Sequence, residues 1–248
     1  MAKKYILSGK SYQDGITIKS PNFSYTLRQG QNIKLELSKR SDNELTTLLS
    51  LGLYLVLIPD MFAAMVCFLC HWNLHFQIIL ANLFRLGYLL YNIFASKIIN
   101  NYELRKFHGA EHKVLRCYKK GLKLNIRNAK SVSRVSTNCG TNILTANVIV
   151  IQIIYLFART HFQSISAVIL FEVVLAVSAL VITEIMIKLF PPLNIPGAIF
   201  QILFTTSEPE ERHIEVAIKA LEKVVEAEEM MMQESIKTFL NWIQPKKI

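Results

Sequence analysis

Cysteine is scarce in this chain, with four thiols in 248 residues. Cys67 and Cys70 stand in an apolar run, and Cys117 and Cys139 in a basic stretch. That distribution excludes the paired framework of a small secreted domain. The first 45 residues have no apolar run of the kind a cleavable signal needs, so the first hydrophobic segment is expected to act as its own insertion signal. Acidic residues are few, 18 against 28 lysines and arginines, for a formal net charge of +10. Charge is thin in four long stretches that hold much of the 52% hydrophobic content, and the mean hydropathy is +0.31. A basic excess beside apolar stretches is the positive-inside pattern of membrane proteins. Specific nucleic-acid binding is therefore not expected.

Each of the four stretches is about long enough to cross a bilayer. They predict membrane helices at about 47–70, 76–99, 141–158 and 166–190. Residues 1–45 carry eight lysines and arginines, the segment 97–140 eleven, and the segment after Phe190 six. The short loops "HWNLH" and "RTHFQS" carry none and one. This alternation predicts a multi-pass membrane protein. Both ends and the loop 100–140 would be cytoplasmic. The bilayer and its anionic headgroups are the expected partners.

Before the first stretch, apolar residues alternate: Ile16 and Ile18, then Tyr25 and Leu27, then Leu35 and Leu37. A period of two predicts a small antiparallel β-unit over residues 1–45. After the fourth stretch, three prolines between Pro191 and Pro196 forbid a straight continuation. "GAIFQILF" then suggests an interfacial or re-entrant piece. Thr206 and Ser207 offer N-caps and Pro209 suits a first turn. Ile214, Ile218, Leu221 and Val225 recur at helical spacing, which predicts a cytoplasmic amphipathic helix within 206–248. The expected fold class is mainly α and integral to the membrane. It has four transmembrane helices (46–205 in all), the β-unit and this C-terminal helix.

Chemistry concentrates in "KFHGAEHKVLRCYKKG", residues 106–121. His108 and His112 are four apart and share one helical face, with Glu111 on nearly the same side. Two imidazoles at this spacing can bind one Zn²⁺, and the glutamate can serve as general base. H-x-x-E-H is also the order of the inverzincin peptidases. The bland alternative is a solvated basic helix facing headgroups. A catalytic zinc takes three protein ligands. Cys139, entering the third apolar stretch near Arg134, is the candidate third, and otherwise a small buried residue in a helix-entry turn. Cys117 points off the shared histidine face.

These residues, with "SRVSTNCGTNIL" and "IPGAIFQILFTTSEPEERHIEVAIKALEKV", resemble the YqhQ-like family of bacterial integral membrane proteins. "YQDGITIKSPN" is a weaker echo near the start. The resemblance implies a metal-dependent enzyme whose substrate is unsettled. Carried over by position, His108, Glu111, His112, Cys139 and Glu208 fall on family motif positions, as do Gly109, Gly140 and Gln201. Where the family reads H-P-R-C-G-T, this chain has Ser136 in place of the histidine. Asp14 replaces a glutamate and Lys19 an arginine.

Asp60 and Arg85 come to similar depth in the first two stretches. They predict an intramembrane ion pair, with Glu172 as competitor. Glu184 stands four before Lys188 and is expected to pair locally or to snorkel. Two functions follow. One is a cytoplasm-facing metal-dependent hydrolase, with zinc on His108, His112 and Cys139 and Glu111 as base. Glu208 or Asp14 would complete its site. The other is a non-enzymatic scaffold or assembly factor with a structural or degenerate metal site. A transporter is the weakest reading, because the chain shows no internal repeats.

Overall fold

The computed structural model describes residues 5–28, 34–37, 101–161, 174 and 181–243, with single helical positions at 65–66, 76, 79–80, 83–84 and 87. The chain falls into two compact units. One comprises Met1–Ser41, Asn101–Val135 and Thr206–Ile248, the other Asp42–Asn100 and Ser136–Thr205.

The first unit is a sheet packed on helices. Strands β1 (Ser8–Ser11), β2 (Gly15–Lys19), β3 (Phe23–Arg28) and β4 (Lys34–Leu37) form one antiparallel sheet in sequence order. The expected alternation is realised. Ile16, Ile18, Tyr25 and Leu27 are buried on one face. On the other, Thr17 lies opposite Thr26 and their hydroxyls bond at 2.7 Å. Two helices cover the apolar face: α1 (Tyr102–Lys120), which carries the H-x-x-E-H run, and α6 (Glu211–Ile243). The short α2 (Ile126–Ser131) lies between them in sequence.

Helix α1 is bounded by local chemistry. The Asn101 side chain accepts from the Leu104 N–H, satisfying a first-turn donor. Gly121 ends it at φ 70°, where the Cys117 and Tyr118 carbonyls receive the next two N–H groups. Helix α6 buries Ile214, Ala217, Leu221 and Val224, at the predicted helical period. Each large aliphatic side chain so buried contributes about 1.5–3 kcal/mol. Its start differs from expectation. Thr206 and Ser207 do not cap it, and the helix begins at Glu211. Tertiary contacts override the local signal there, because the Ser207 N–H donates to the Arg105 carbonyl. The turn after β2 is also anchored by α6, whose Glu228 accepts from the backbone and side-chain amides of Asn22.

The second unit contains α3 (Gly140–His161), α4 (Val181–Leu189), a 3₁₀ turn (Pro191–Leu193), α5 (Asn194–Phe200) and a π-turn (Gln201–Thr205). Helices α3 and α5 are in close contact. A Cβ on Gly197 would collide with the Asn142 side chain and Cα.

The expected four membrane-spanning helices are not upheld. Among the described residues no single helix is long and apolar enough to cross a membrane. In the third stretch, Asn142, Thr145, Asn147 and Gln152 dilute the apolar run. The described apolar part is only Gly140–Ile151. The fourth ends at Leu189, because prolines 191 and 192 cannot extend the ladder. The chain bends by 119° between Val181–Leu189 and Pro191–Thr205, and only as a bent pair do these segments reach the length and apolarity of a span. Asp60, Arg85, Cys67, Cys70 and Glu172 lie outside the described residues. Glu184 and Lys188 are both exposed.

Candidate metal centre

His108 and His112 stand one turn apart on α1, their rings 4.4 Å apart between centroids and inclined at 60°. His112 is buried, and its Nδ1 lies 2.5 Å from the Arg134 carbonyl oxygen. A carbonyl only accepts, so Nδ1 carries the proton and Nε2 presents its lone pair. Second-sphere bonds of this kind orient histidines that ligate metals. The next carbonyl, Val135, accepts from Arg116. Helix α1 therefore grips the chain at two successive peptides, four residues before Cys139.

Cys139 opens α3 and is 9% exposed. Its carbonyl receives the Asn142 and Ile143 N–H groups. One ligand atom from each of His108, His112 and Cys139 lies within 4.8 Å of the others. These residues could hold a metal ion. Their two imidazoles and one thiolate suit a borderline-soft divalent cation. Ser136, where the family resemblance implies a histidine, spends its hydroxyl on the Asn138 N–H at 3.3 Å. The third potential ligand atom comes from the cysteine of the same loop.

Glu111 does not join this group of three. It is 6% exposed and turns toward β1, where the Ser11 hydroxyl donates to Oε2 at 2.5 Å. A Cβ on Gly9 would stand 2.5 Å from the Glu111 carboxyl carbon, so a larger residue there would displace the carboxylate. Asp14 occupies the β1–β2 turn and pairs with Arg28 at 3.4 Å. Glu208 bonds Lys113 at 2.7 Å through Oε1 and Arg134 at 3.0 Å through Oε2. It thus holds the residue whose carbonyl orients His112. Cys117 is fully buried in the core, where desolvation pushes its thiol pKa up and keeps it unreactive.

The basic run around the histidines is not a solvated face. Lys113 is 3% exposed and donates to the Lys130 and Val132 carbonyls as well as to Glu208. Lys106 is buried and bonds Glu103 and Glu210. Lys130 reaches Glu211 at 2.6 Å. The acidic cluster "SEPEE" is the counter-charge of this basic helix, and that complementarity was the signal available in the sequence. Ser11 left no such signal.

These pairs predict a pH dependence. Burial pushes the Glu103 and Glu208 carboxyls up, but their cationic and hydrogen-bonding partners outweigh it and both lie below the ordinary 4.5. Lys106 draws Glu210 down and Lys130 draws Glu211 down. A carboxylate depressed in the folded state adds stability that is complete above the unfolded pKa and is lost as pH falls through the folded one. The urea midpoint is expected to be level from neutrality to about pH 5 and to fall progressively below 4.5. A midpoint unchanged down to pH 3 would refute the ion-pair account.

Residues 14–227 match the family described as "Protein of unknown function (DUF1385)", and the chain belongs to it. It is 33% identical over 166 residues to "Uncharacterized protein YqhQ" of Bacillus subtilis (strain 168), a match covering 63% of this chain and 52% of that protein. The chain thus spans about half the length of this curated relative. No solved structure matches the chain.

Proposed function

We propose that this chain is a metal-dependent hydrolase attached to the cytoplasmic face of a bacterial membrane. The observation that carries the reading is the approach of His108, His112 and Cys139 to within 4.8 Å, with the His112 tautomer set by Arg134. When bound, a divalent metal such as zinc would supply Lewis acidity and a water of lowered pKa. The protein's own part is definable. His112 donates Nδ1–H to Arg134 and keeps Nε2 for the ligand position. Cys139 gives up its thiol proton to solvent to become a donor. Glu111, on the same helix as the two histidines, would serve as the general base for the attacking water. Attachment to lipid is supported by the bent pair and by its outward Val181, Ile185, Leu189, Ile195 and Ile199.

The direction of Glu111 favours a second reading. A carboxylate bonded to Ser11 and packed against Gly9 ties α1 to β1, as a scaffold with a structural metal would need. Metal content of the purified full chain, with complementation of a deletion strain, decides between them. About one zinc per chain, retained in Glu111→Gln while complementation is lost, is the result expected of the hydrolase. Retained metal with full complementation by Glu111→Gln would give the scaffold. A wild-type protein free of metal at neutral pH would overturn both metal readings.

A further inference from the structure

We infer that Gln201 is a positioning residue for the Cys139 thiolate, acting through the backbone of Ser136; this rests on Cys139 being a metal ligand. Gln201 is 0% exposed and opens the π-turn Gln201–Thr205, a rare geometry that recurs at functional sites. Its side-chain amide pairs with one residue twice over. Oε1 accepts from the Ser136 N–H at 2.8 Å and Nε2 donates to the Ser136 carbonyl at 2.9 Å. Both peptide groups of Ser136 are thereby held by a single planar group, as a neighbouring strand would hold them.

Ser136 begins the turn that presents the cysteine. Its carbonyl also receives the Cys139 N–H at 3.4 Å, and its hydroxyl receives the Asn138 N–H. The far side of the turn is held by a second buried amide. Asn142 donates to the Thr137 carbonyl at 3.0 Å and to Asn194 Oδ1 at 2.6 Å. Backbone and side-chain bonds from two directions therefore converge on four residues, 136–139. A lone buried cysteine in a helix-entry turn does not need such restraint. A thiolate that ligates a metal does.

Glutamine is chemically specific here. Glutamate would set a carboxylate oxygen against the Ser136 carbonyl. Methionine, of similar length, would leave the Ser136 N–H and C=O unpaired in a buried site. Asn147 supplies a control, because it is buried on α3 beyond Asn142 and spends its amide on the Thr183 hydroxyl at 2.9 Å.

The test is a cobalt(II) titration of the full chain, reading the Kd and the near-ultraviolet thiolate-to-cobalt charge-transfer band. Wild type, Gln201→Glu, Gln201→Met and Asn147→Ala are compared at a temperature where circular dichroism shows each one folded. Both Gln201 variants are expected to bind cobalt about 10–100-fold more weakly, with the charge-transfer band diminished, while Asn147→Ala matches wild type. A wild-type band and Kd retained in whichever Gln201 variant folds would overturn the inference. Equal losses in Asn147→Ala would overturn it too, by showing general loosening. A wild-type protein with no thiolate–cobalt band would instead overturn the reading of Cys139 as a ligand.

Discussion

His112→Ala is expected to weaken zinc binding by at least about 100-fold, read by competition with a chromophoric chelator, and to leave the purified protein without metal. A three-donor site that loses one imidazole keeps His108 and Cys139 alone, too few for tight zinc. The variant also loses the bond to the Arg134 carbonyl, but that accounts for only about 1 kcal/mol of stability. The Arg116–Val135 bond still restrains the chain before Cys139. Metal loss should therefore far exceed any change in melting temperature. An unchanged zinc Kd would sink the site.

Gly109→Val is expected to be the most damaging change within the H-x-x-E-H run that touches no proposed ligand. A Cβ there would lie well inside contact distance of the Ser207 carbonyl oxygen. That carbonyl cannot retreat, because the neighbouring N–H is held by Arg105 and Glu208 is held by two cations. Overpacking of this kind costs about 1–3 kcal/mol, and a β-branched residue should reach the upper end, seen as a lower urea midpoint. Gly9→Ala is the comparison. Its collision is with the flexible end of Glu111, so the carboxylate can swing aside and stability should fall less. If Gly109→Val were as stable as wild type, the crossing of α1 by the 206–210 segment would be misplaced.

Helix α1, the β-unit and the apolar face of α6 were legible because each rests on a short-range period: four residues between the histidines, two in the strands, three or four in α6. Cys139 was legible as a candidate donor at a helix entry. The role of the basic run was not. Lys106 and Lys113 read as solvated charges because their partners Glu210 and Glu208 are about a hundred residues away. Glu111 shares the histidine side by spacing, yet its carboxylate goes to Ser11, a choice made by a strand a hundred residues earlier. Hydropathy also overcounted. It sums apolarity along the chain and does not see the bend at Pro191 or the amides of Asn142 and Asn147, which are satisfied within the fold by Asn194 and Thr183.

By itself the sequence determined the repertoire: two imidazoles on one helical turn, a thiol at a helix entry, a basic helix and an acidic segment to match it. These depend on residue type and local geometry alone. Only the tertiary structure decided the assignments, because they depend on side chains far apart in sequence meeting in a low-dielectric interior. There an unpaired amide or ammonium is costly, and the partner it finds settles its role. The tautomer of His112, the restraint of Ser136 by Gln201 and the turning of Glu111 toward β1 were all decided in that way.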